Sequence, residues 1–119
     1  MKNYKELSIW RKGIELVKAV YALSKKFPVE EKYGMISQLT RAVVSIPANI
    51  AEGSSRNSDK DYARFIQIAL GSAFEVQTYL IIAKEMHWSS NESIELTELL
   101  LEEEIKMLHS FIKKLTANS

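Results

Sequence analysis

Residues 37–56 read SQLTRAVVSIPANIAEGSSR. Leu39, Val43, Ile46 and Ile50, with Ile36 just before them, recur every three or four residues, the period of one helix face. Gln38, Arg41, Ser45, Asn49 and Glu52 recur in the same way on the far side and form a polar stripe. Pro47 removes the N–H that would bond the carbonyl of Val43, so a kink is expected there. A break that restarts with Pro47 in a first helical turn fits the same residues. Gly53 stands where a left-handed C-terminal cap belongs, and Ser54 to Asn57 make a loop. Glu30 and Glu31 favour the positive end of a helix dipole, so the spacing predicts a helix over about 31–53, kinked near Pro47.

Outward from this stretch, the same period predicts three more helices. The first covers about 8–26, with Ile9, Trp10, Ile14, Leu16, Val17, Val20, Tyr21, Leu23 and Phe27 on half its circumference. Phe27-Pro28 ends it, because a residue before proline disfavours α geometry. The third covers about 58–86, opened by Ser58 as N-cap with Asp59 and Asp61 in the first turn. Tyr62, Phe65, Ile66, Ala69, Ala73, Val76, Leu80 and Ala83 are its core stripe. Ala63, Leu70, Phe74 and Ile81 form a second apolar line. A monomer is expected to leave Leu70, Phe74 and Ile81 wet, which marks them as an oligomer interface. The fourth covers about 91–115 on a seam of Ile94, Leu101, Ile105, Leu108, Ile112 and Leu115, and Thr116 to Ser119 are expected to fray. Four helices with short connections in one domain, 1–119, predict an all-α, antiparallel up-down-up-down four-helix bundle.

The 119 residues and 46% hydrophobic content suffice for one core, and the absence of cysteine excludes disulfides and thiolate metal sites. No secretory h-region and no apolar run of about 18 residues is visible, so a cytoplasmic protein is expected. No Glu lies three residues before His87 or His109, which removes the bundle di-iron pattern. Glu102-Glu103-Glu104 wraps around a helix and reads as a solvated face. P-loop, Rossmann and nucleophile-elbow patterns are missing. No catalytic residue, metal or cofactor is therefore expected, and the chain does not read as an enzyme.

Charge is uneven behind a net +1. Residues 1–29 carry seven Lys/Arg against two Glu, and residues 87–119 carry three Lys against six Glu. These elements can attract each other within or between subunits, or the basic one can face a phosphate backbone. Arg11, Lys18 and Lys25 are seven apart and make one line, which Lys2, Lys5, Lys12 and Lys26 extend. Arg56, Lys60 and Arg64 surround a helix start suited to phosphate, although Asp59 and Asp61 oppose a tight anion site. The polar stripe also has two readings. It can line a pocket in an assembly, or Arg41 can pair with Glu52 or Glu75 while Ser45 and Ala48 allow close packing.

The order Trp10, Tyr21, Phe27-Pro28, Glu31, Tyr33-Gly34, Gln38-Leu39, Arg41-Ala42, Ser45-Ile46 and Asn49-Ile50-Ala51-Glu52-Gly53 resembles the 23S rRNA intervening-sequence proteins. Arg56, Ser58, Phe65, Ile68-Ala69, Gly71-Ser72, Glu75 and Leu80 continue the likeness, which covers about Leu7 to Leu115. The resemblance implies a bacterial four-helix bundle assembled as a ring-like homopentamer, with no catalytic residues. The similar accessory proteins of diversity-generating retroelements point to nucleic-acid binding. The resulting expectation is a non-enzymatic, oligomeric bundle associated with rRNA or another nucleic acid. A protein-interaction or scaffold module is the competing expectation.

Overall fold

The computed structural model describes residues 3–117. Lys2 lies outside the described residues, as do Asn118 and Ser119 of the tail from Thr116 that was expected to fray; Thr116 itself is still the last residue of a helix. Four α-helices follow one another: α1 Ser8–Ser24, α2 Met35–Gly53, α3 Asp59–Glu85 and α4 Asn91–Thr116. Short 3-10 turns, Tyr4–Glu6 and Val29–Glu31, precede α1 and α2. Each helix packs on its two neighbours in the cyclic order α1, α2, α3, α4. Side-chain pairs fix the directions. Gln38 meets Tyr79 and Ser45 meets Ser72 across α2 and α3, whereas Lys84 meets Glu95 and Tyr62 meets Phe111 across α3 and α4. Lys26 at the end of α1 reaches Ser93 at the start of α4. The bundle is antiparallel throughout, as expected, and 45 Å long.

Helix ends follow local chemistry. Ser58 and Ser90 cap α3 and α4, their hydroxyls accepting from the N–H groups of Asp61 at 3.1 Å and Ser93 at 3.2 Å. The α3 terminus places His87 at φ 58°, and the N–H of Trp88 then returns to the carbonyl of Ala83. That is a Schellman closure with histidine where glycine is usual. Trp88 packs on buried Phe27, tying the α3–α4 connection to the end of α1.

Three expectations need correction. The second helix begins at Met35 rather than 31: Glu31 ends a 3-10 turn, and its carboxylate accepts from the Met35 N–H at 3.4 Å. The helix then continues through Pro47, so the reading of a break and restart fails. Gly53 is not a left-handed cap, because no glycine among the described residues has positive φ. It is small for another reason: an added Cβ would lie 2.8 Å from Tyr62 Cδ1 and 2.9 Å from Phe65 Cβ. The α2–α3 corner closes only because that atom is missing.

Burial corrects the proposed interface as well. Leu70 is 6% exposed, inside its own bundle, because α3 packs on both α2 and α4 and so has two covered sides. Phe74 and Ile81, at 44% and 50%, remain outside. By length and composition α3 is apolar enough to cross a membrane, contrary to the run-length reading, but much of its apolar surface is committed to α2 and α4.

Candidate nucleic-acid interface

The corner between α2 and α3 gathers the cations that the sequence placed around a helix start. Ser55, Arg56, Asn57, Ser58, Lys60, Asp61 and Arg64 line an open concavity of about 600 Å³. The guanidinium groups of Arg56 and Arg64 both lie over Phe65, at 4.6 and 5.5 Å from its ring centre. An aromatic face attracts a cation and fixes a planar one. Each arginine also meets a carboxylate, Arg56 with Glu52 at 3.4 Å and Arg64 with Asp61 at 2.8 Å. Both pairs are partly exposed, and such pairs contribute roughly 0 to 1 kcal/mol. A phosphate can compete for guanidiniums held this loosely. Lys60 is exposed with no ion pair among the described residues.

The α1 line is less concentrated. Arg11, Lys18 and Lys25 are all exposed, but they are strung along the bundle. Arg11 Nε donates to the carbonyl of Lys5 at 3.0 Å. Lys12, which the sequence added to this line, is taken by Glu103 at 2.8 Å, and the pairing raises the lysine pKa and lowers that of the glutamate. Lys25 lies towards the end that holds Ser93 and the α4 glutamates, away from Arg56. What the sequence did not suggest is a polarity from end to end. Phe111 packs on Tyr62 and also lines a groove with Leu7 and Ile9, so the last turns of α4 share an end with the start of α3. Lys106 and Lys114 stand on that groove, on the same end as Arg56, Lys60 and Arg64.

The polar stripe resolves into helix packing. Asn49 donates to the carbonyl and hydroxyl of Ser45 at 2.8 and 2.9 Å, and the Ser45 hydroxyl bonds that of Ser72 at 2.8 Å. The Tyr79 hydroxyl lies 2.9 Å from Gln38 Oε1 and 3.1 Å from Glu75 Oε2. The expected Arg41 pairing is not formed: Glu52 turns to Arg56 and Glu75 to Tyr79, leaving Arg41 exposed on a groove of about 410 Å³. Small hydroxyls bonded to each other across two helices shorten their approach and offer no nucleophile with a base.

The acidic run also departs from its reading. Glu102 and Glu103 are exposed, but Glu104 is 0% exposed, and neither carboxyl oxygen has a hydrogen-bond partner. It sits where α1 and α2 come close: a Cβ built on Gly13 would be 3.2 Å from Glu104 Oε2 and 3.3 Å from Pro47 Cβ. Burial raises its pKa to about 8, against the weaker pull of Lys12. Position alone identifies it: Glu104 follows Leu101 by three residues and precedes Leu108 by four, the inner slot of the seam. No group of three metal-ligating side chains occurs among the described residues.

These features define a four-helix bundle with a hydroxyl-bonded α2–α3 seam and cations clustered at one end. The model of the 23S rRNA-intervening sequence proteins matches residues 5–110, and the chain belongs to that family. A solved structure from Bacteroides thetaiotaomicron, a protein of unknown function from the S23 ribosomal protein family, is 29% identical. The match covers 88% of this chain and 98% of that one, with a TM-score of 0.81. No curated protein matches.

Proposed function

We propose that this protein is a non-enzymatic, oligomeric bundle of the bacterial cytoplasm that associates with rRNA or another structured nucleic acid through its phosphates. The observation that carries the reading is the α2–α3 corner, where Arg56, Lys60 and Arg64 surround one concavity and two guanidiniums rest on Phe65. Phosphate contacts give affinity without base readout, which suits cations gathered around one ring whose face the two guanidiniums occupy. Family membership supports a link with 23S rRNA genes. A homopentameric ring, which the resemblance implies, repeats the corner five times and turns a weak contact into a multivalent one.

Mobility shifts with structured rRNA at several salt concentrations test this. Replacing Arg56, Lys60 and Arg64 with Ala is expected to lower the slope of log affinity against log salt by about 2 to 3. No binding by the wild type at low salt refutes it. The competing reading, a scaffold that contacts protein alone, draws on the exposed Phe74 and Ile81. Loss of assembly in Ile81→Glu together with no RNA shift favours that alternative.

A further inference from the structure

The end of the bundle that holds the cationic corner also carries an open apolar groove. It has a volume of about 390 Å³, is floored by Leu7, Ile9, Met107 and Phe111, and is rimmed by Lys106 and Lys114. No acid lines it, and neither lysine makes an ion pair among the described residues. Glu103 is near enough for Lys106 to lower its pKa, but its carboxylate is held by Lys12 at 2.8 Å. Cations in the last turn of α4 complement the helix dipole, which accounts for Lys114 but not for Lys106, two turns earlier, or for the apolar floor. The two lysines stand roughly 12 Å apart along the helix, at about 1.5 Å per residue, with Met107 and Phe111 between them. Rings join this groove to the corner. Phe111 meets Tyr62 edge to face at 5.1 Å, and Tyr62 and Phe65 crowd the same point beside Gly53. Phe65 in turn carries Arg56 and Arg64. Cations and apolar surface therefore alternate across this end of the molecule.

We propose that the groove takes an unpaired base of RNA, with Lys106 and Lys114 on the phosphates either side of it and the strand continuing past Tyr62 to Arg56, Lys60 and Arg64. The inference rests on the nucleic-acid reading above and narrows it, from phosphates in general to a single-stranded loop or end. A single strand presents phosphates and bases in alternation, and proteins hold it with cations along the backbone and apolar or aromatic surface under the bases. Such contacts accept any base, so they add affinity without demanding a sequence. A duplex keeps its bases stacked inside and offers the groove only sugar and phosphate, which leaves the floor wet. Charge complementarity and continuity with the corner thus both favour the unpaired strand. The contact asks nothing of the assembly: groove and corner belong to one subunit, and a ring repeats them together.

Fluorescence anisotropy of the full chain tests the contact, with a labelled oligouridylate and a blunt RNA duplex carrying the same number of phosphates. The wild type is expected to bind the oligouridylate about tenfold more tightly than the duplex. Met107→Lys adds a cation while it breaks the apolar floor. Charge alone predicts tighter binding of both RNAs, whereas an occupied floor predicts that the preference for oligouridylate falls by about tenfold. Phe111→Leu keeps the groove apolar but loses the ring, and is expected to lower the preference and leave duplex binding unchanged. Replacing Lys106 and Lys114 with Ala is expected to lower the slope of log affinity against log salt for oligouridylate by about 1 to 1.5. Circular dichroism and sedimentation check each variant for helicity and particle mass. No preference in the wild type, or a preference that Met107→Lys and Phe111→Leu leave intact, overturns the groove while the corner reading stands. Binding of neither RNA by the wild type overturns both. A fall in particle mass in Met107→Lys with the preference intact assigns the groove to another subunit and overturns the proposal as well.

Discussion

Replacing Glu104 with Gln is expected to make the bundle more stable at neutral pH and to remove a pH dependence that the wild type carries. The side chain is 0% exposed without a hydrogen-bond partner, and its folded-state pKa stands at about 8 against an ordinary 4.5. The folded protein therefore keeps this proton over a range where the unfolded chain releases it. With more protons bound in the folded state, stability is fully present below about pH 4.5. It falls as pH rises and levels off above about pH 8. One pKa unit corresponds to about 1.4 kcal/mol, so the loss is roughly 3 kcal/mol between pH 5 and 7 and roughly 5 kcal/mol over the whole window. Glutamine has nearly the same shape and no charge to acquire. Urea midpoints of wild type and Glu104→Gln, measured from pH 5 to 8, are expected to diverge steadily in favour of the variant. Carboxylates paired at the surface, such as Glu103, act with the opposite sign at lower pH and are common to both proteins. A gap between the two proteins that does not change with pH refutes the assignment of a buried, proton-bearing carboxyl.

Three further substitutions follow from backbone and packing geometry, read by the same denaturation. Gly53→Ala is expected to cost roughly 1 to 3 kcal/mol, since the new methyl meets Phe65 Cβ, an atom too near the backbone to move aside. Gly71→Ala, at an exposed helical site with nothing within 4 Å, is instead expected to stabilise the isolated chain by about 1 kcal/mol. His87→Gly relieves a non-glycine residue at φ 58° and is expected to add about 1 kcal/mol, with no effect on RNA mobility shifts.

The helical period was enough to find all four helices, because each carries an apolar face long enough to repeat many times. It failed where one residue answers to two neighbours. Leu70 and Phe74 sit on the same apolar line of α3, yet one is buried and the other half exposed. Which side of a helix meets α4 is a tertiary fact that a stripe does not encode. Glu104 was missed because an acidic run outweighed its place in the seam, although Thr97, seven residues earlier and also buried, marks the same register. Gly53 drew attention for the right reason, a demand for no side chain, but the demand comes from Tyr62 and Phe65 rather than from backbone conformation. Among the cations, sequence proximity succeeded for Arg56, Lys60 and Arg64, which share a corner. It overvalued Lys12, whose partner lies on a helix distant in sequence.

Gly13, Pro47 and Glu104 share one small volume although they come from three different helices. A methyl at residue 13 has space only if the side chain at 104 retreats, and a shorter side chain at 104 leaves a void that only a larger residue at 13 can fill. Their substitution effects are therefore non-additive, and the three positions are expected to drift as a set over evolutionary time. A change tolerated in one member of the family can thus be forbidden in another that differs only at a residue far away in the chain.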